Sequence, residues 1–194
     1  MPLRERVFSV LIVSASDKLN SSLRELLPES HYDTVTVAGS VNEAQRILQE
    51  RSYDIVIINA PLPDDFGRKF AIDVCTTHNS AVAILVRSEM YEEIYEKVYP
   101  HGVFALRKPT STTIMLQALD WLRSARERLR KLEKQTVSLE EKMAEIRLVN
   151  HAKWTLIEAL NMTEADAHRY IEKQAMDRCV TKGEIARSIL NTYK

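Results

Sequence analysis

Apolar and polar positions along the chain change period several times, and the changes mark out its elements. Apolar runs at Val7 to Val13, Thr34 to Val37, Ile55 to Asn59, Ala81 to Val86 and Val103 to Leu106 have strand length and composition. Between them, Leu19 to Leu27, Val41 to Leu48, Phe70 to Cys75 and Tyr91 to Val98 repeat at helical spacing. Five strands alternating with helices predict a parallel sheet with helices on both faces, because right-handed crossovers place them there. A three-layer α/β domain over residues 1–121 is expected.

From Thr112 to about Leu160 the sequence holds no proline or glycine and its apolar period is helical, which predicts one long helix. With Leu122 as the first seam position, Leu122, Ala125, Leu129, Leu132, Thr136, Leu139, Met143 and Ile146 are separated by alternating steps of three and four. That is a heptad pattern, and it predicts a coiled-coil linker over residues 122–148 that pairs with a second copy. The alternative is an amphipathic helix lying on its own domain, but the seam is too long for that domain to cover. Flanking charges do not fix the orientation of the pair. Asn161-Met162-Thr163 then breaks the helix, and Thr163 with Asp166 is spaced like a cap opening a second helix to about Arg178. Thr181 and Glu184 repeat that spacing ahead of a third helix to about Thr192. Ala152, Leu156 and Leu160, then Ala167, Ile171 and Ala175, then Ile185, Ile189 and Tyr193 give each helix one apolar face. These faces predict a three-helix bundle over residues 149–194.

Composition narrows the function. The 194 residues are 45% hydrophobic and 28% charged, as in ordinary globular proteins, and no apolar run approaches the roughly 20 residues of a membrane helix. Met1 to Arg6 runs straight into a strand pattern without a secretory leader, so the cytoplasm is the expected compartment and no membrane partner is expected. Cys75 and Cys179 lack paired spacing and read as free thiols, and the five histidines show no metal-ligand spacing. No metal site, no cofactor and no catalytic set is expected. Net charge is zero, but residues 1–121 hold 12 basic and 16 acidic side chains against 15 and 11 in residues 122–194, which permits a polyanionic partner for the C-terminal part.

The strand ends, the Ala60-Pro61-Leu62-Pro63-Asp64-Asp65-Phe66-Gly67 loop and Lys108-Pro109 resemble the receiver domains of two-component response regulators. The resemblance implies a flavodoxin-like strand order, 2-1-3-4-5, with a site at the carboxyl ends of the strands. Aspartyl phosphorylation there needs a carboxylate nucleophile, an acidic pair for magnesium, a hydroxyl and a lysine. Only Lys108 is retained. Asn59 stands at the acceptor position, Ser14 and Ala15 replace the acidic pair, and Arg87, followed by Ser88, occupies the hydroxyl position. The site is therefore expected to be degenerate, with Asp17 read as a cap or first-turn residue and Asp64 and Asp65 as loop residues. A small anionic ligand at Arg87 and Lys108, or an unknown protein partner, is the alternative use of this domain.

In the last fifty residues, Ala152-Lys153, Leu156-Ile157, Thr163-Glu164-Ala165-Asp166-Ala167, Gln174-Ala175-Met176-Asp177 and Glu184-Ile185-Ala186 resemble the ANTAR family of RNA-binding domains. That family is implicated in transcription antitermination, and the resemblance implies a dimer engaging paired RNA hairpins through exposed loop bases. Loop bases are unstacked and readable, and phosphates reward cations presented on a rigid surface. Lys153, Arg169, Lys173, Arg178 and Lys182 are the RNA-contact candidates. Against them stands the plainer reading that they are solvated charges, since residues 149–194 hold seven basic and six acidic side chains. Trp154 departs from the small residue often found after the Ala-Lys pair and is expected to pack rather than to stack on a base, as is Tyr170. Two alternatives to RNA binding are a protein-interaction and dimerisation module, and DNA binding. The third helix argues against the latter, offering few base-reading side chains besides Arg187 and Asn191.

Overall fold

The computed structural model describes residues 7–193 and divides the chain into two compact units at Arg130/Lys131. The stretch Met1 to Arg6, expected to hold no leader, lies outside the described residues.

In the first unit, strands β1 (Phe8–Val13), β2 (Tyr32–Ala38), β3 (Ile55–Asn59), β4 (Ala81–Arg87) and β5 (Phe104–Lys108) form one parallel sheet in the order β2-β1-β3-β4-β5. The helices between them are α1 (Asp17–Glu25), α2 (Val41–Glu50), α3 (Arg68–Thr77) and α4 (Tyr91–Val98), and α5 (Thr112–Leu160) comes after β5. Alternate residues of each strand feed two cores. Leu11, Val13, Val56, Ile58, Ile84 and Val86 pack with α2, α3 and α4, while Val10, Ile12, Ile55, Ile57, Ala83 and Leu85 pack with α1 and the start of α5. The expected strand order and three-layer architecture are both present.

Local chemistry fixes the helix starts. Ser16 caps α1 by accepting from Leu19 N, and Asp17 sits in the first turn, where its charge suits the helix dipole. Ser40 caps α2. Gly67 opens α3 with φ +90°, and a Cβ there would lie 3.0 Å from the Ile58 side chain, so both the backbone angle and the close approach call for glycine.

The heptad seam is used in two ways. Leu122 is 1% exposed in the core shared by α1, α5 and the sheet, and Ala125 packs against that core. Within the second unit, by contrast, Leu132, Leu139, Met143 and Ile146 are exposed, Leu139 by 60%. The first part of the seam therefore closes the α/β core, and only the later part forms an open apolar stripe.

The second unit packs α6 (Glu164–Arg178) and α7 (Lys182–Thr192) with the last part of α5. Ala152, Leu156, Ala167, Ile171, Ala175, Ile185, Ala186 and Ile189 are its buried core. The small side chains of Ala152, Ala167, Ala175 and Ala186 permit close helix approach there. Thr163 caps α6 by accepting from Asp166 N at 3.2 Å. Thr181 and Glu184 form the expected reciprocal capping box at α7. Gly183, in the first turn of α7, donates its N–H to Glu145 Oε1 of α5 at 3.2 Å.

Candidate functional site

At the carboxyl ends of the sheet strands, three of the five positions expected to mark a degenerate site, Ser14, Asn59 and Lys108, form a polar network. Ser14 is buried beyond β1. Its Oγ accepts from Asn59 Nδ2 at 3.0 Å and from Ser16 N at 3.2 Å. Lys108 Nζ donates to Asn59 Oδ1 at 2.7 Å and to the Ala60 carbonyl. Asn59 thus joins the lysine to the serine, using its amide as acceptor and donor at once, which a carboxylate cannot do. Arg87 is paired in strand register with Lys108, and Ser88 Oγ donates to the Lys108 carbonyl at 3.1 Å. Burial, with a contribution from the Arg87 charge, pulls the Lys108 ammonium below its ordinary pKa. Ala15 is exposed and brings no ligand atom from its side chain.

The two loop aspartates serve the backbone. Asp64 accepts from Val41 N and Asn42 N at 2.9 Å each, holding the start of α2, and these two hydrogen bonds depress its pKa. Asp65 Oδ1 accepts from Gly67 N at 2.6 Å. The sequence marks Asp64 only as a loop residue, because its contact spans more than twenty residues and has no local signal. Among the described residues no group of three His, Cys, Asp or Glu is placed to hold a metal ion.

A second polar cluster, which sequence reasoning missed, lies just ahead of β3. Asp54 accepts from Ser9 N and Ser9 Oγ at 3.1 and 3.2 Å, from Arg126 Nε at 2.9 Å, and pairs with Arg130 at 2.7 Å. Burial pushes its carboxyl pKa up, but the Ser9 hydrogen bond and the two guanidiniums outweigh this and hold it below the usual carboxylate range. Arg130 also lies 5.0 Å over the Phe8 ring. This clamp fixes the first-unit part of α5 against the sheet.

In the second unit the five RNA-contact candidates do not converge. Lys153, on α5, pairs with Glu164 at 3.0 Å, and Lys182, at the start of α7, pairs with Glu172. His168 Nε2 stands 3.3 Å from the same Glu172, whose carboxyl is held low mainly by Lys182. Arg169 is 3.6 Å from Asp166, within α6. Among the described residues Lys173 and Arg178 have no hydrogen-bond or ion-pair partner. Lys153 and Lys182 come together at a groove of about 910 Å³. Ile146, Val149, Ala175, Met176 and Val180 supply its apolar lining, and Glu145, Asn150, His168, Glu172 and Thr181 add polar groups. Arg178 lines a smaller hollow with Tyr170, Gln174 and Tyr193.

Trp154, expected to pack, is 64% exposed. Helical phase explains the correction: Ala152 and Leu156 point to the core, and a residue two positions from each lies on the far side of the helix. Tyr170 is also exposed, although it borders the Arg178 hollow.

Residues 138–190 match the ANTAR domain family. Over 184 residues the chain is 28% identical to the transcriptional regulatory protein PdtaR of Mycobacterium tuberculosis, a match covering 94% of this chain and 89% of the relative. The first unit shares its fold with solved receiver domains. The receiver domain of an HD domain-containing protein from Pseudomonas fluorescens has a TM-score of 0.57 at 22% identity, covering 69% of this chain and 96% of that one. A response regulator receiver domain protein from Clostridium thermocellum has a TM-score of 0.55 at 22% identity, covering 65% and 99%.

Proposed function

Because the chain is an ANTAR response regulator, with a receiver-fold unit ahead of an ANTAR domain, we propose that it acts as a dimeric RNA-binding antitermination regulator whose receiver works without phosphorylation. Both parts are regulatory, and the chain is not an enzyme. One observation carries the RNA reading. In the ANTAR-matching bundle Arg169, Lys173, Arg178 and Lys182 are exposed around a packed core while the Lys153 side chain is 15% exposed, and each is either unpaired or held by a carboxylate that is itself accessible to solvent. A phosphate can displace such a carboxylate at small cost, because exposed ion pairs contribute little. Lys153, Arg169, Lys173, Arg178 and Lys182 are assigned to phosphate and loop contacts, and hairpin loops are the RNA elements whose bases are free to be read.

The dimer reading rests on Leu132, Leu139, Met143 and Ile146, the open stripe of the second unit, which a second copy of the same stripe would bury. Two linked bundles then engage two hairpins, stabilising an RNA structure that excludes a terminator. The front unit signals through contacts, since an Asn59 amide forms no acyl phosphate. The exposed stripe and Trp154 equally favour a second reading, a protein-interaction module that recruits another regulator without RNA. No helix among the described residues is long and apolar enough to cross a membrane, and an antitermination role places the protein with nascent RNA in the cytoplasm.

Binding of the purified protein to a two-hairpin RNA, with loop-substituted RNA and duplex DNA as controls, separates the readings. Loop-dependent binding that weakens about tenfold in Lys153→Ala, with a salt dependence shallower by about one unit of slope, is the expected result. Binding to none of the three favours the interaction module, and equal binding to all three contradicts loop recognition.

A further inference from the structure

The RNA reading extends from the phosphates to a base at the groove formed by α5, α6 and the turn before α7, and a base site there rests on that reading. Three properties of the groove select its occupant. At about 910 Å³ it has room for a nucleobase with its sugar. Val149, Met176 and Val180 offer apolar contact to the face of a base. Its charges are mixed: Lys153 and Lys182 are cations, Glu145 is a carboxylate already accepting from Gly183 N, and Glu172 is a carboxylate set between His168 and Lys182. A phosphate is repelled by that carboxylate. The edge of a base is attracted to it, because amino and imino N–H groups donate to acidic side chains.

We propose that this groove receives one unstacked base of an RNA loop, with Glu172 accepting hydrogen bonds from the N–H groups of its edge and Lys153 and Lys182 turning to the flanking phosphates. In the free protein Glu172 is paired with Lys182 and lies 3.3 Å from His168, and Lys153 is paired with Glu164, contacts that binding exchanges. Glu172 is then a specificity-determining residue, whereas the lysines supply affinity common to all sequences.

Abasic scanning of the loop in a two-hairpin RNA, against the full-length protein and its Glu172→Ala and Met176→Ala variants, tests the assignment. Both side chains are at the surface, and circular dichroism checks that the variants fold. Removing one particular base is expected to cost the unaltered protein about tenfold more affinity than it costs Glu172→Ala. Met176→Ala should reduce the penalty at the same position. The proposal is overturned if every abasic penalty agrees within about twofold between the unaltered protein and Glu172→Ala while both still bind RNA; the RNA reading then survives without this site. It is also overturned if either variant changes the sedimenting mass, which would make the groove a contact between copies. An unaltered protein that binds no RNA refutes the site and the RNA reading together.

Discussion

Lys108 gives its ammonium to the Asn59 amide oxygen and the Ala60 carbonyl, neutral acceptors within the first unit, whereas Lys153 and Lys182 give theirs to Glu164 and Glu172, accessible carboxylates of the second. The first arrangement is self-contained. Ser14, Asn59 and Lys108 satisfy one another, with an amide rather than a carboxylate at the centre. On the proposed reading the second is exchangeable, since a phosphate replacing Glu164 or Glu172 would leave each lysine with an equivalent partner. The contrast teaches that retaining a lysine at its familiar place says little about function. What that lysine contacts decides whether it waits for a charged ligand.

The strongest attempt to break this comparison removes the link between two bundles. Leu139→Asp combined with Met143→Asp is expected to convert the dimer to a monomer by sedimentation and to weaken two-hairpin RNA binding by about 100-fold, the loss incurred when two linked contacts become one. An unchanged mass would sever the stripe from dimerisation. Next in size is the clamp that anchors α5 within the first unit. Asp54→Ala leaves Arg126 and Arg130 without their shared carboxylate and is expected to destabilise that unit by about 2 kcal/mol, read as a lower melting temperature. Asp54 has a depressed pKa, so its contribution is complete at neutral pH and is lost only as pH falls through its folded-state value, below the ordinary carboxylate range. The acid limb of a stability profile should flatten in the variant. Smallest is Asn59→Asp, which restores a carboxylate but not the acidic pair at Ser14 and Ala15. Mass spectrometry after incubation with a small phosphodonor and magnesium is expected to find no acyl phosphate on it or on the unaltered protein.

Much of the architecture is legible in the residues. Strand-length runs and strand–helix alternation suffice for the α/β layering, and the Thr181/Glu184 spacing identifies a capping box because both partners lie within one turn. Contacts between distant segments are not legible. Nothing near Asp54 announces Arg126 and Arg130, some seventy residues away in sequence, and nothing near Asp64 announces the start of α2. The same limit applies to the heptad. Its spacing cannot tell that Leu122 is spent inside the α/β core while Leu139 is open, because both satisfy the same repeat. In the bundle, residue type nominates five cations, but only the fold separates Lys153 and Lys182 at one groove from Arg178 at another hollow. Size alone misjudges Trp154. Its helical phase, available in the sequence, points away from Ala152 and Leu156.

The most direct test of an active bundle behind a silent receiver is the affinity of the full-length protein for a two-hairpin RNA, measured with and without a small phosphodonor and magnesium. The account predicts loop-dependent binding that is the same in both conditions. Binding that appears only after phosphodonor treatment, or no loop-dependent binding in either condition, would contradict it.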